Sequence, residues 1–135
     1  MPELDAFLAG FPVFITHSAI SLGILLVGTL IYIKITRHDE MALIRSGNTA
    51  AALSLAGAVI GLALPLAFSL AASASLMELI IWGAVALILQ MIAFRVADLM
   101  LKDLPARIEK GEMGSAVLLV TIKLSTAIIN AAAIA

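Results

Sequence analysis

Charged residues in this chain are clustered, and long apolar runs separate the clusters. Between Asp5 and Lys34 stand 28 residues without Asp, Glu, Lys or Arg, and between Arg45 and Glu78 stand 32. A helix crossing about 30 Å of hydrocarbon needs about 20 residues, so both runs predict membrane spans, over about 11–34 and 49–71. After Glu78 a run of 16 reaches Arg95. The apolar pattern continues to Met100, because Arg and Asp near a helix end can snorkel to the interface; a third span is expected over about 77–100. The fourth, about 114–135, is interrupted only by Lys123.

The connections at about 36–47 and 101–112 carry most of the charge. Leu101, Leu104 and Ile108 fall on one side of a helical turn, with Lys102, Arg107 and Lys110 elsewhere, which predicts a short helix lying in the membrane interface. Met41, Leu43 and Ile44 suggest a shorter equivalent in the first connection. Lys102, Arg107 and Lys110 are candidates for anionic lipid headgroups or a peripheral partner, against the plainer reading of a solvated connector. Lys34, Arg37 and Arg45 flank one charged connection and Arg95, Lys102, Arg107 and Lys110 the other, whereas the remaining loop and both ends have no Lys or Arg. The positive-inside bias therefore predicts both charged connections in the cytoplasm and both termini outside. A shift of 64 places aligns Asp39, Ile44, Gly47 and Ala52 with Asp103, Ile108, Gly111 and Ala116. With two spans per half, such a duplication gives parallel repeats. The expected fold is all-α: an integral membrane four-helix protein built from two parallel two-helix repeats, in a single transmembrane domain over 1–135.

Composition sharpens this picture. Residues AVILMFWYC make 63% of the chain and charged residues 13%, whereas a soluble domain is about 45–50% apolar and a quarter charged. Mean hydropathy is +1.17. A net charge of -1 gives nucleic acid no basic surface to bind. Cys is absent, so no thiol nucleophile or thiolate metal site is available. The leading Glu3 and Asp5 are acidic where a signal peptide is basic, so the first span is expected to remain in the mature protein. No His-Glu-x-x-His, Walker loop or nucleophile elbow occurs. Neither an enzyme nor a cofactor is expected. His38-Asp39-Glu40 invites a metal reading, but three sequence neighbours do not readily converge on one ion, and no metal is expected.

Function would have to rest on polar residues inside the membrane. Lys123 lies nine residues past Gly114, roughly 13 Å into the core. Thr126 and Asn130 follow it on the same helical face. Gly83, Ala86, Gln90, Ala93 and Ala97 form a small-residue face on the third span, and packing of the two faces puts Gln90 near Lys123. No Asp or Glu stands clearly at the depth of Lys123, and Asp98 is expected to pair with Arg95, three residues before it. Lys123 then either attracts an anion or takes part in proton movement, or it sits in a wet pocket within a stripe that glues helices together. His17 matches the depth of Asn130, and either a proton relay between them or an ordinary hydrogen-bonded histidine fits. Gly57, Gly61 and Pro65 line one face of the second span, where Pro65 leaves the Gly61 carbonyl without its helical donor. That is a candidate hinge, or a static bend beside a glycine contact surface. Asn48 and Thr49 suit a helix start.

The strings His38-Asp39-Glu40, Leu43-Ile44-Arg45 and Asn48-Thr49-Ala50-Ala51, followed by Gly61 and Pro65, resemble the YjfL-type family of bacterial membrane proteins (domain of unknown function 350, UPF0719). Trp82-Gly83, Ala86-Leu87, Gln90 and the closing Asn130-Ala131-Ala132 are similar to it as well. The resemblance covers the chain from about Thr36 onward. It implies four spans in the bacterial inner membrane and a duplicated two-helix unit, with no established activity. It also implies, through the gene neighbourhoods of some relatives, a link to phage-shock-type membrane-stress proteins. Lys123 and Arg95 stand outside the family pattern. The expected function is a membrane component, oligomeric because two spans carry small-residue faces and the mass is slight for a complete transporter, that conducts or transports a small ion or solute along the polar face of the fourth span. The alternative is a non-transporting anchor or scaffold that recruits anionic lipid or a peripheral cytoplasmic stress protein.

Overall fold

The computed structural model describes residues 1–35 and 40–134. Arg37, His38 and Asp39 therefore lie outside the described residues. Six helices follow one another: α1 (Pro2–Ile35), α2 (Glu40–Arg45), α3 (Thr49–Ala72), α4 (Leu76–Met100), α5 (Asp103–Glu109) and α6 (Met113–Ile134). Among the described residues there is no strand. The protein is an all-helical membrane protein, with four helices long and apolar enough to span.

Helix α3 is central and packs against all the others. Its inward face is made of small residues, with Ala50, Ala51, Ser54, Gly57, Ala58 and Gly61 all buried, which lets neighbouring backbones approach closely. A Cβ on Gly57 would stand 2.6 Å from two Val120 methyls of α6, and one on Gly61 would stand 2.7 Å from the Phe94 ring of α4. Gly57 and Gly61 are thus packing positions. Pro65 is buried, and α3 continues through it. The Gly83 end of the small-residue face on α4 meets Leu66 and Ile24, so that end faces α3 and α1, and the helix faces α6 from the Gln90 level onward.

Helix α1 begins at Pro2 and not near residue 11, and it continues through Pro12. Glu3 and Asp5 in its first turn favour a helix start, since acidic groups complement the helix dipole there. Ser18 lies beside Leu70, near the end of α3, and every residue from Met1 to Thr16 is exposed. The first dozen or so residues of α1 therefore run past the bundle, carrying a ladder of Phe7, Phe11 and Phe14.

The short helices both lie at the other end, and each ends in the same way. Gly47 and Gly111 have positive φ, 93° and 87°, where glycine avoids a Cβ clash. In the first, Gly47 and Asn48 donate to the carbonyls of Ile44 and Leu43; in the second, Gly111 and Glu112 donate to those of Ile108 and Arg107. Helix α5 does not lay its apolar side on lipid, as the interfacial expectation had it. Leu104 and Ile108 are buried in a cluster with Ala50, Ala51, Ala116 and Leu119, so α5 closes one end of the bundle. Protein offered that apolar side a partner already in place. Asn48 fastens the closure: its side chain accepts from Ala51 N at 3.0 Å as the cap of α3, and its amide donates to the Ile108 and Glu109 carbonyls at 3.1 Å each.

Candidate functional site

Lys123 is 2% exposed and belongs to α6, yet its ammonium lies 3.2 Å from Asp98 Oδ1 near the end of α4. The Asp98–Arg95 pairing expected from their three-residue spacing is not formed. The cause is side-chain direction. Side chains on a helix lean toward its N-terminus, so the long lysine stem runs from mid-membrane toward the end where α5 lies. Asp98, within one turn of the end of α4, is what it meets there. A depth measured at the α carbon misplaces a lysine charge by the reach of its stem.

The same ammonium donates to the Tyr32 hydroxyl at 3.1 Å, and that hydroxyl donates to Glu40 Oε1 at 3.4 Å. The rings of Tyr32 and Phe94 stand edge to face, 5.7 Å between centroids, with the ammonium 5.2 and 5.1 Å from them. Two aromatic faces, one hydroxyl and one carboxylate therefore replace the water that the buried cation has lost. The distance to Asp98 is that of an ion pair, while its angle falls outside hydrogen-bond geometry.

The polar line continues toward the other end of the bundle. Gln90, fully buried, donates to the Lys123 carbonyl at 3.5 Å and accepts from the Asn130 amide at 3.0 Å. The structure thus brings Lys123, Gln90 and Asn130 together. Thr126 is half-buried but donates to the Ile122 carbonyl of its own helix at 3.0 Å. His17 is half-buried, and among the described residues no hydrogen bond joins it to Asn130.

Lys123, Tyr32, Ser54 and Asp98 line a cavity of about 220 Å³, together with Glu40, Arg95, Lys102 and Glu109. It is a charged hollow between the long helices and α5, with the buried Lys123 in its lining. Of the basic residues named from the sequence, Lys102 lines it, whereas Arg107 lies 3.7 Å from Glu112 on the exposed side, and Lys110 is exposed. Among the described residues no group of three potential metal ligands converges.

Sequence reasoning missed Tyr32, Phe94, Glu40 and Asp98 as members of this site. Tyr32 and Phe94 pass as ordinary apolar positions near span ends, and Glu40 as a helix-start acid. Their signal is present for Asp98 alone: a mid-membrane lysine calls for a carboxylate about one stem length toward the N-terminus of its helix.

The family model for a Domain of Unknown Function (DUF350) matches residues 6–134. The chain belongs to the DUF350 family. It is 31% identical over 132 residues to the UPF0719 inner membrane protein YjfL of Escherichia coli K12, covering 98% of this chain and 97% of that protein. The YjfL protein of Escherichia coli O157:H7 matches to the same extent. No solved structure matches the chain. This DUF350 protein is therefore a membrane protein with inner-membrane relatives.

Proposed function

We propose that this protein moves a small ion across the bacterial inner membrane, with the proton as the best fit, through the line from the cavity past Lys123 to Asn130. The observation that carries the reading is the Lys123–Asp98 pair in the lining of a charged cavity. Ionisable groups at membrane depth are costly and usually mark ion pathways or proton relays. Beyond the cavity the polar line runs through the main chain and two amides: Gln90 donates to the Lys123 main-chain carbonyl and accepts from the Asn130 amide. Such a line suits proton hopping better than the passage of a hydrated ion, which needs an open bore.

In this reading the cavity end and both charged connections face the cytoplasm, by the excess of Lys and Arg there, and both termini face outward. Asp98 exchanges protons with cavity water, Lys123 alternates between Asp98 and the Tyr32–Glu40 arm, and Gln90 and Asn130 carry the line outward. The two halves are a parallel duplication, which the matching ends of α2 and α5 support. The working unit is a homo-oligomer whose subunits meet through the apolar outer faces.

The test is proton flux into liposomes holding the purified protein, read by a trapped pH-sensitive dye under an imposed potential. Wild type is expected to collapse the gradient, and Lys123→Met, Asp98→Asn and Gln90→Ala to abolish that flux while remaining folded. Flux unchanged in all three overturns the pathway. Absence of flux in wild type with either polarity of potential overturns transport of protons.

A further inference from the structure

The cavity lining leaves three charges unpaired among the described residues. Glu40 accepts from Tyr32 and Asp98 is held by Lys123. Arg95, Lys102 and Glu109 line the same hollow and have no hydrogen bond or ion pair from their side chains. Arg95 is the telling one. It is half-buried on a membrane-spanning helix, and the carboxylate three residues on is taken by Lys123. A guanidinium at that depth needs an anion or water.

Arg95 stands five residues before the end of α4 at Met100, about 7 Å along the axis, from which a long side chain can snorkel to the interface. Lys102, just past the end of α4, lines the same hollow. The planar fork of an arginine matches two phosphate oxygens at once, and a nearby lysine adds a mobile positive charge. Glu109 lines the hollow from α5 and adds a negative charge to it. The unpaired charges therefore complement a ligand that carries an anion and, beyond it, an ammonium.

We propose that the mouth of this cavity binds the headgroup of an aminophospholipid, its phosphodiester on Arg95 and Lys102 and its ammonium toward Glu109. Arg107 takes no part, since it lies against Glu112 outside the cavity. Basic pockets between spanning helices near the cytoplasmic interface are suited to phospholipid headgroups. The acyl chains of a lipid held there run along the apolar outer face of α4, where Ile92, Val96 and Leu99 are exposed. This site needs Asp98 to be held by Lys123 but no ion movement, and its test reads no flux.

The experiment is native mass spectrometry of the delipidated full chain, with thermal unfolding in detergent alongside, after titration with phosphatidylethanolamine, phosphatidylglycerol, glycerophosphoethanolamine or inorganic phosphate. Phosphatidylethanolamine is expected to bind with one-to-one stoichiometry and raise the unfolding temperature. Arg95→Gln and Lys102→Gln are each expected to weaken it about tenfold, as expected for losing a charge-assisted contact. Arg107→Gln should bind as wild type, and Glu109→Gln should erase the preference for phosphatidylethanolamine over phosphatidylglycerol. Should Arg95→Gln fail to fold, Arg95→Lys keeps the charge but not the fork, and a severalfold loss is expected. Wild-type lipid affinity in both Arg95 and Lys102 variants overturns the site. Equal affinity for glycerophosphoethanolamine or inorganic phosphate overturns the lipid in favour of a soluble phosphate.

Discussion

Removing Asp98 should harm the fold more than removing Lys123, although the two groups form one pair. Unit charges 3.2 Å apart attract by about 5 kcal/mol at an effective dielectric of 20, and desolvation offsets much of that. The asymmetry comes from what each deletion leaves behind. The Lys123 side chain is 1% exposed and that of Asp98 18%. Asp98→Asn leaves a cation that cannot reach water, and breaking a buried pair in that way costs about 3–5 kcal/mol. Tyr32 and the two ring faces near the ammonium recover about 1 kcal/mol, so about 3 kcal/mol is expected. Lys123→Met leaves a carboxylate that can turn into the cavity, and the methionine stem keeps most of the packing, for a cost of about 1–2 kcal/mol. The double variant should cost less than Asp98→Asn alone, because no charge is then stranded. The assay is reversible unfolding in mixed micelles, followed by loss of helical circular dichroism as the denaturing detergent is raised. The reasoning is refuted if Lys123→Met proves the more damaging, or if the two costs add within about 0.5 kcal/mol.

Other expectations follow from single contacts. Gly57→Ala forces a methyl against Val120 at 2.6 Å and should cost about 1–3 kcal/mol; adding Val120→Ala should restore most of it in the same unfolding assay. Asn48→Ala loses the cap of α3 and both bonds to the end of α5, for about 1–2 kcal/mol. Asn48→Asp keeps the acceptor and loses the donors, so protease nicking near Glu109 should increase in both variants while α3 frays only in the first. Tyr32→Phe deletes the hydroxyl between Lys123 and Glu40 and keeps the ring against Phe94; proton flux should fall at least tenfold with stability changed by about 1 kcal/mol. Cysteines at Ala6 and at Ala133 should both be labelled by a membrane-impermeant reagent in intact cells, and one at Lys110 should not.

The four long helices were legible because hydrocarbon imposes one requirement on sequence, a long run without charge, and lines such as Arg45 to Glu78 meet it openly. Asn48 was legible as a cap for a similar reason, since the demand is local. The ionic site was legible only in part. Lys123, Gln90 and Asn130 announce themselves as polar groups on facing helical stripes, but the partner of Lys123 depends on the direction of its stem, and the i+3 rule that ties Arg95 to Asp98 holds only while neither has a more costly neighbour to satisfy. A half-exposed guanidinium near the interface can find water or a phosphate, whereas an ammonium among Tyr32, Phe94 and Leu119 cannot. Asp98 therefore goes to the charge with fewer alternatives, and that choice is what frees Arg95 for a ligand. The buried pair and the unpaired basic mouth of the cavity are two results of one competition, so Lys123→Met should let Arg95 close on Asp98 and weaken aminophospholipid binding without touching any residue of the headgroup site. Unchanged lipid affinity in Lys123→Met, measured on folded protein, would break that link between the two sites.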